Sequence, residues 1–426
     1  MSFKLNKYPV TFNVDGAGGT LKATADGVAE TETSPITVEH GKTVTFTAAP
    51  TAGYKVKEWK LDGNAVNGTN TSYPHTITQA INVTVSFELG KALLTLEAGK
   101  NTVKVKAKTA DGKPITVEGC TVTELANDTE TTLTAKVAGT QIALVGELTE
   151  LNCRGSEDAS NRSLVALDVS GCTALQKLDC AKNQLTALNV QGLTALQELS
   201  CENNQLTTLN VQGLTKLEKL YCQGNPLKAL NVSGLTALQE LQCNDTNQLE
   251  TLNVQGCTTL KVLKCQYNKI AELDVSDLTA LQELDCNTNQ LKTLNVQGLT
   301  ALQELDCNTN QLKTLNVQGL TALQKLYCEN NQLTTLNVQG CTALKSLLCF
   351  KNKLNADAFI KIFNDLPIRE ASDNAEAILY AEDEDLIEDN CTAFTQPEDL
   401  KKAFDGAKAK HWKLQKADGF GLGTDI

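Results

Sequence analysis

The chain has 426 residues, too many for one ordinary hydrophobic core, so several domains or a stacked repeat array are expected. Its formal net charge is -12 and its Lys and Arg residues are scattered, which argues against the basic surface that a nucleic-acid partner requires. No run of about 18 apolar residues occurs, so no transmembrane segment is predicted.

Residues 1–89 are predicted to form a domain of short strands in which apolar and polar residues alternate. The apolar positions fall in four segments: Val10, Phe12 and Val14; Val44 and Phe46; Tyr54, Val56 and Trp59; Ile81, Val83, Val85 and Phe87. The phrases TVTFTAAPTAGYKVKEWKLDG and INVTVSFE resemble the divergent internalin B-repeat of bacterial surface proteins, a small β-grasp-like module. That resemblance implies a spacer or a secondary binding module. We expect Trp59 to anchor the core of this domain rather than to bind a ligand.

Residues 90–147 continue as strands (LLTLEAG, NTVKVKAK, PITVEGC and TQIALVG) but contain no repeat. A repeat array must hide the core that its first unit exposes, so this β-rich segment is predicted to be an amino-terminal cap. Between Cys153 and Cys180 the spacing is 27 residues instead of 21, with the excess near GSEDASNRS. That excess is predicted to protrude as a loop.

Residues 148–354 contain a recurring 21-residue phrase with a single one-residue insertion. Two copies, Thr279 to Leu299 and Thr300 to Leu320, are identical: TALQELDCNTNQLKTLNVQGL. The apolar spacing LxxLxCxxNxLxxLxVxxL predicts one short strand around Leu-x-Cys and a second around Leu-Asn-Val on the far side. No stretch with helical periodicity fits between them, so we predict a mainly β solenoid of parallel coils.

Two residues recur at fixed positions in this phrase. An Asn ladder is expected to satisfy backbone groups at the turn after the first strand, with Asn247 joining it after the insertion. Its members are Asn183, Asn204, Asn225, Asn268, Asn289, Asn310, Asn331 and Asn352. The Cys ladder consists of Cys153, Cys180, Cys201, Cys222, Cys243, Cys265, Cys286, Cys307, Cys328 and Cys349.

The ladder cysteines are expected to be reduced thiols that replace an inward Leu. Strands about 4.8 Å apart hold the Cβ atoms farther apart than the roughly 3.8 Å of a disulfide. A metal site would need convergent ligands, which a single row does not supply, so no metal and no cofactor is expected. Cys172, Cys257 and Cys341 are predicted to be core substitutions at the last apolar position.

Coils such as TALQKLYCENNQLTTLNVQGC combine this repeat length with these Cys and Asn positions. They resemble the cysteine-ladder repeats of internalin J-like bacterial surface leucine-rich-repeat proteins. The resemblance covers residues 148–354 and implies a leucine-rich-repeat solenoid on a secreted or cell-surface protein. It also implies adhesion or host contact, with a protein or glycan ligand on a host or neighbouring cell. The start, MSFKLNKYPVTF, lacks the apolar core of a signal peptide, so we expect Met1 to replace a removed export signal.

Residues 355–426 are predicted to form an α/β carboxy-terminal cap. Helical spacing extends from Ala356 to Leu366, a strand follows at AILYA, and a second helix is expected from Pro397 to Lys410. The closing AKAKHWKLQ, with Trp412, resembles the end cap of similar repeat proteins. An acidic run contains Glu382, Asp383, Glu384, Asp385, Glu388 and Asp389. It lacks the spaced ligands and central glycine of a calcium loop, so a solvated loop is expected.

Catalysis is not predicted, because the histidines are His40, His75 and His411, all outside the repeats, and no nucleophile elbow, phosphate loop or HExxH motif occurs. A partner is instead expected on the concave face, formed by the outward side chains of the first strands. Its first column is Lys177, Glu198, Lys219, Glu240, Val262, Glu283, Glu304, Lys325 and Ser346. Its second column is Asp179, Ser200, Tyr221, Gln242, Lys264, Asp285, Asp306, Tyr327 and Leu348.

The candidate ligand-binding residues on this face are Tyr221, Tyr267, Tyr327, Lys264, Asp285 and Asp306. Exposed aromatic residues are favoured because they supply most of the energy of an interface. Alternatively, the tyrosines fill cross-strand contacts, the cap covers Leu348 and Phe350, and the stripe through Asp285 and Asp306 aids solubility instead of meeting a basic protein. Two functions remain open: a monomeric adhesin or interaction module, and a structural spacer whose faces have no affinity.

Overall fold

The computed structural model describes residues 6–382, 388–418 and 423–426. These residues divide into two compact units, one containing the chain up to residue 179 together with 188–196, and one containing 180–187 together with 197–426. Met1, and Asp383, Glu384 and Asp385 of the acidic run, lie outside the described residues. No helix in the described part of the chain is long and apolar enough to cross a membrane.

The amino-terminal domain is built from strands in which alternate residues are buried. They are β1 (Lys7–Asp15), β2 (Gly19–Ala25), β3 (Val28–Thr31), β4 (Ile36–Glu39), β5 (Thr43–Pro50), β6 (Tyr54–Leu61), β7 (Asn64–Val66), β8 (Ser72–Thr76) and β9 (Ile81–Leu89). They form two sheets, in the orders β4-β1-β9-β6-β7 and β3-β2-β5-β8. Trp59 is fully buried between them with Phe46, and its Nε1 donates to the Asn70 carbonyl at 2.6 Å. Trp59 is therefore a core residue, as predicted.

The next strands form the first coil of the solenoid and the segment that flanks it. They are β10 (Lys91–Leu96), β11 (Thr102–Thr109), β12 (Ile115–Glu118), β13 (Glu124–Leu125), β14 (Thr131–Thr134), β15 (Gln141–Val145), β16 (Leu148–Asn152) and β17 (Leu164–Asp168). The first coil supplies β16 and β17. Strand β11 pairs antiparallel with β16 and β10 with β17, so both sides of the coil gain a partner. The inserted loop contains a short 3-10 helix at Ala159–Asn161 and is exposed.

The later coils each contribute a three-residue first strand with its central Leu buried. These strands are β18 (Lys177–Asp179), β19 (Glu198–Ser200), β20 (Lys219–Tyr221), β22 (Glu240–Gln242), β24 (Val262–Lys264), β25 (Glu283–Asp285), β26 (Glu304–Asp306), β28 (Lys325–Tyr327) and β30 (Ser346–Leu348). Within the second unit, neighbouring first strands from β19 to β30 pair in parallel and in register. The predicted parallel coils are thus confirmed.

Second strands pair in only part of the second unit. They are β21 (Ala229–Asn231), which pairs with β23 (Thr251–Asn253), and β27 (Thr314–Asn316), which pairs with β29 (Thr335–Asn337). Between these pairs, the segments around Leu273 and Leu294 are not strands, although both leucines are only 8% exposed. Apolar burial therefore holds this side of the coil even where backbone pairing is interrupted.

The Cys ladder lies inside the solenoid. From Cys222 to Cys349 its thiols are free and 0% exposed. Burial raises the pKa of Cys222 to about 12 and that of Cys286 well above its ordinary value. The apolar environment disfavours the thiolate, which is the reactive form of cysteine. These side chains therefore act as packing groups, as expected.

From Asn204 to Asn352, each Asn of the ladder joins two adjacent coils. Asn310 Nδ2 donates to the carbonyls of Cys286 at 3.0 Å and Cys307 at 3.1 Å, while its Oδ1 accepts from the Leu291 N–H at 2.9 Å. The side chain is 8% exposed. Its amide thus satisfies backbone groups at the turn where the ladder was predicted to act.

The prediction that Asn247 joins this ladder is wrong. The equivalent position is Thr246, which is 8% exposed, whereas Asn247 is exposed and has a φ of 53°. The inserted residue places the Asn one position too late, so the Leu227 N–H bonds to the Asn225 carbonyl instead of to a ladder amide. A hydroxyl cannot reproduce the donors and acceptor of a carboxamide.

The chain closes with helix α1 (Ala356–Asp365), β31 (Glu376–Ala381), helix α2 (Glu398–Ala409), β32 (Lys413–Ala417) and β33 (Gly423–Asp425). Both predicted helices and the AILYA strand are confirmed. Strand β31 pairs in parallel with β30 and with β32, extending the sheet of first strands. Trp412 is 3% exposed, and its Nε1 donates to the Pro367 carbonyl at 2.8 Å.

The carboxy-terminal segment also supplies one more rung of the Asn ladder. Asn390 Oδ1 accepts from the Leu354 N–H at 2.8 Å, and its Nδ2 donates to the Cys349 carbonyl at 2.9 Å. Glu388 Oε2 accepts from the N–H groups of Lys351 and Ala381, each at 2.8 Å. The expectation of a solvated acidic loop is therefore wrong at Glu388, which binds backbone groups of the last coil and the cap.

Candidate partner-binding surface

The concave face of the second unit carries the two predicted columns in register. In the second column, Lys264 lies beside Asp285, Asp285 beside Asp306, and Asp306 beside Tyr327. Parallel in-register pairing places equivalent residues about 4.8 Å apart on the same side of a sheet. Five of the six candidate residues therefore share one column. Tyr267 follows its first strand and lies in the turn, with a φ of 54°.

Most charges of the first column are paired between neighbouring coils. Lys219 approaches Glu198 at 3.8 Å, Lys264 approaches Glu283 at 2.8 Å, and Lys325 approaches Glu304 at 3.1 Å. These side chains are roughly one third to one half exposed, so each pair contributes on the order of 0 to 1 kcal/mol. The pairs neutralise the first column more than they stabilise the fold.

The three candidate tyrosines have different environments. The Tyr221 hydroxyl donates to Glu240 Oε2 at 2.8 Å, and Tyr327 is half-buried on its strand, where burial raises its pKa. Tyr267 is 47% exposed. Tyr221 and Tyr327 thus have contacts within the sheet, whereas Tyr267 is the most exposed of the three.

Asp285 and Asp306 are held by carboxamides of their own coils. Asp285 Oδ1 accepts from Asn287 Nδ2 at 2.8 Å, and Asp306 Oδ1 accepts from Asn308 Nδ2 at 2.7 Å. Asn287 Nδ2 also reaches Asp306 Oδ2 at 3.2 Å, which connects the two coils. Burial, followed by the neighbouring Asp306 carboxylate, raises the pKa of Asp285 to about 6. Burial also raises the pKa of Asp306.

A third outward column follows the ladder cysteines and was not among the predicted site residues. In the second unit it contains Ala181, Glu202, Gln223, Asn244, Gln266, Asn287, Asn308, Glu329 and Phe350. Glu329 is 8% exposed, and burial raises its pKa to about 7, with a further contribution from the Asp306 carboxylate. Extending the strand alternation by one residue beyond each Cys would have found this column.

The last coil ends this face with an apolar cluster. Phe350 packs with Ile378, Ala381 and Ala417 of the cap, and Leu348 packs against them. Phe350 is 8% exposed. The accessible part of the face therefore lies in the earlier coils.

The opposite side of the same coils carries a shallow groove where the second strands are interrupted. It is lined by Glu272, Leu273, Asp274, Thr293, Leu294, Asn295, Gln297, Thr314 and Asn316. Glu272 and Asp274 are exposed there. Within the described ranges, no group of three or more His, Cys, Asp and Glu side chains is arranged to hold a metal ion.

Residues 19–91 match the divergent InlB B-repeat domain family, which confirms the predicted identity of the amino-terminal domain. Among solved structures, the functional domain of InlJ from Listeria monocytogenes, which includes a cysteine ladder, is similar at 30% identity. That match covers 57% of this chain and 56% of the InlJ chain, with a TM-score of 0.46. This chain therefore matches little more than half the length of that relative.

Two further structures show lower similarity. A leucine-rich-repeat protein from Leptospira interrogans is 25% identical, covering 47% of this chain and 67% of that one, with a TM-score of 0.31. The internalin InlF from Listeria monocytogenes is 22% identical, covering 51% of this chain and 86% of that one, with a TM-score of 0.24. No curated protein sequence matches this chain. Residues 19–91 are thus similar to the divergent InlB B-repeat domain family, and they are followed by a leucine-rich-repeat solenoid with a buried cysteine ladder.

Proposed function

We propose that this chain is a non-enzymatic interaction module of a secreted or cell-surface bacterial protein, which binds a macromolecular partner on its concave face. The proposal rests on the resemblance of its repeats to those of bacterial surface leucine-rich-repeat proteins. The observation that carries it is the row of accessible polar and aromatic side chains that the coils hold in register. Such a row presents a broad surface of the kind used by repeat proteins to bind extended partners.

Tyr267 is the strongest anchor candidate, although it lies in the turn beside this face and not in its columns. A tyrosine that is 47% exposed brings a large apolar ring and a polar hydroxyl to an interface at little cost in side-chain entropy. Tyr267 lies in a turn with a left-handed backbone conformation. The backbone N–H of Tyr267 donates to the Asn287 carbonyl at 3.1 Å. The ring is thus presented from a position whose backbone is already ordered.

The test is a binding screen of the purified chain against host-surface proteins and glycans. Tyr267→Ala should weaken a concave-face ligand about tenfold or more, because loss of an aromatic anchor commonly costs over 1.4 kcal/mol. Tyr221→Ala and Tyr327→Ala should have smaller effects, since both side chains already have contacts within the sheet. The matched control is Ile368→Ala, which removes another exposed apolar side chain, 74% exposed, from the segment after α1.

A spacer function is the second candidate, favoured by one observation. The coils Thr279 to Leu299 and Thr300 to Leu320 are identical, so two neighbouring stretches of the surface repeat without individual tailoring. A spacer would bind no ligand, whereas a ligand held by the amino-terminal domain would bind wild type, Tyr267→Ala and Ile368→Ala equally well. Either result would favour the spacer, or binding by the amino-terminal domain, over recognition by the concave face.

A further inference from the structure

Three carboxyl groups of the concave face lack a cationic partner. Within the described residues, no Lys, Arg or His forms an ion pair with Asp285, Asp306 or Glu329. The Lys264 ammonium group lowers the pKa of Asp285, but its Nζ is bound to Glu283 at 2.8 Å. This excess of negative charge contrasts with the pairing along the first column.

The two aspartates are oriented before any ligand arrives. The backbone N–H and Nδ2 of Asn287 both donate to Asp285 Oδ1, and those of Asn308 both donate to Asp306 Oδ1. These bonds occupy Oδ1 of each carboxylate, and Asn287 Nδ2 also donates to Asp306 Oδ2 at 3.2 Å, so both groups are held in a single orientation. A site whose groups are already ordered loses less entropy when a ligand binds.

Glu329 provides independent evidence that this site is incomplete. Its side chain is 8% exposed, and its buried Oε2 has no hydrogen-bond partner among the described residues. It neighbours Asn308 in the third column and is close enough to Asp306 for that carboxylate to raise its pKa. A buried carboxylate oxygen without a donor is costly, and a donor supplied by a ligand would remove that cost.

Three other side chains of the third column also have a buried acceptor oxygen without a hydrogen-bond donor. Gln223 Oε1, Asn244 Oδ1 and Gln266 Oε1 are buried and have no hydrogen-bond partner in the described chain. With Glu329 Oε2, the column presents four buried acceptors.

We propose that Asp285, Asp306 and Glu329 form a binding site for arginine side chains of a protein partner, each of which bridges carboxyl groups of adjacent coils. This inference rests on the proposed function, because it requires that the partner lie on the concave face. The planar guanidinium carries five donors in a fixed fork and can bridge carboxylates on strands about 4.8 Å apart. Tyr327, beside Asp306, adds an aromatic ring against which a guanidinium packs well. A lysine ammonium offers a point charge without that fork.

The test measures binding of a fluorescent nona-arginine peptide to the whole chain by anisotropy, at about 0.15 M salt to screen distant charges. Asp285→Asn combined with Asp306→Asn should raise Kd about tenfold or more, since it removes both charges and keeps the side-chain shape. Glu329→Gln alone, which leaves both aspartates intact, should raise Kd about threefold or more. A nona-lysine peptide should bind the wild type about threefold more weakly or worse.

The matched control is Glu272→Gln combined with Asp274→Asn. It removes the same number of charges from exposed positions on the opposite side of the coils, and Asn already occupies the position of Asp274 in neighbouring coils. Its Kd should stay within about twofold of wild type. An equal loss in the control, or equal affinity for the lysine peptide, would mean that the peptide senses net charge alone and would overturn the arginine site.

The same variants separate this inference from the proposed function. A macromolecular partner that loses affinity with Tyr267→Ala but binds the Asp285→Asn, Asp306→Asn chain normally would retain the proposed function and remove the arginine site. Selective binding of the arginine peptide at the cluster, with no partner found on the concave face, would leave the site in place and remove the proposed function.

Discussion

Removal of a single Asn from the ladder gives the most direct test of what holds the coils together. Asn310→Ala deletes the donor to the Cys286, Cys307 and Asn308 carbonyls and the acceptor for the Leu291 N–H. The outcome depends on which of these groups keeps another partner.

The carbonyls keep partners, but the N–H does not. Asn289 Nδ2 also donates to the Cys286 carbonyl at 3.1 Å, and Asn331 Nδ2 donates to the Cys307 carbonyl at 3.0 Å. The Leu291 N–H loses its acceptor inside the coil, at a cost of about 1 to 3 kcal/mol. With the weakened carbonyl bonds, we expect Asn310→Ala to lower the free energy of unfolding by about 3 kcal/mol.

The control lies in the preceding coil. Asn295 is exposed and its Oδ1 accepts a single bond, from the Gln297 N–H at 3.1 Å, so Asn295→Ala should cost about 1 kcal/mol or less. Urea unfolding gives the stability difference, and hydrogen exchange at the Leu291 amide reports the lost bond itself. Equal costs for the two variants, or unchanged protection at Leu291, would refute the claim that the buried Asn ladder stabilises adjacent coils.

Three further results are expected. Burial raises the pKa of Glu329 from 4.5 to about 7, so its contribution to stability is present below pH 4.5 and is lost as pH rises through 7. Glu329→Gln should therefore raise the free energy of unfolding by up to about 3 kcal/mol at pH 8 and by much less at pH 4. Urea titrations at the two pH values measure this difference. Thr288 has a φ of 50°, where a β-branched residue is strained, and Asn330 occupies the equivalent position two coils later. Thr288→Asn should therefore raise the free energy of unfolding by about 1 kcal/mol in urea titrations. A lower urea midpoint than that of the wild type would count against strain at Thr288. A neutral thiol reagent should label Cys391 rapidly in the native chain and the buried ladder thiols only after unfolding; rapid native labelling of several thiols would contradict their burial.

Much of the fold could be predicted because each coil repeats the same local chemistry. The spacing of Leu and Cys identified the inward positions, and the alternation between them placed Asp285 and Asp306 in one outward column. The pairing of β25 with β26 holds these two residues in the predicted register. Repetition allows the register to be predicted, because every coil must bury the same positions against its neighbours.

The Asn ladder contains two positions that the repeat spacing did not predict correctly. Asn247 has the right residue type near the right spacing, but the inserted residue moved it out of the buried position that Thr246 occupies. Asn390 fills the last rung although it lies 36 residues from Leu354, whose N–H it accepts. Sequence spacing could not identify Asn390, because the cap that carries this residue does not follow the 21-residue repeat.

The sequence by itself determined the parallel coils, the buried Cys row and the outward columns, because those features follow from periodic burial within 21 residues. Only the tertiary structure decided which outward polar groups have an ion-pair or hydrogen-bond partner. Lys264 pairs with Glu283, whereas Glu329 is buried beside Asp306 without a donor for its Oε2 among the described residues. The physical reason is that burial and hydrogen bonding on this face arise between coils, so the state of each carboxyl depends on its neighbours one strand away.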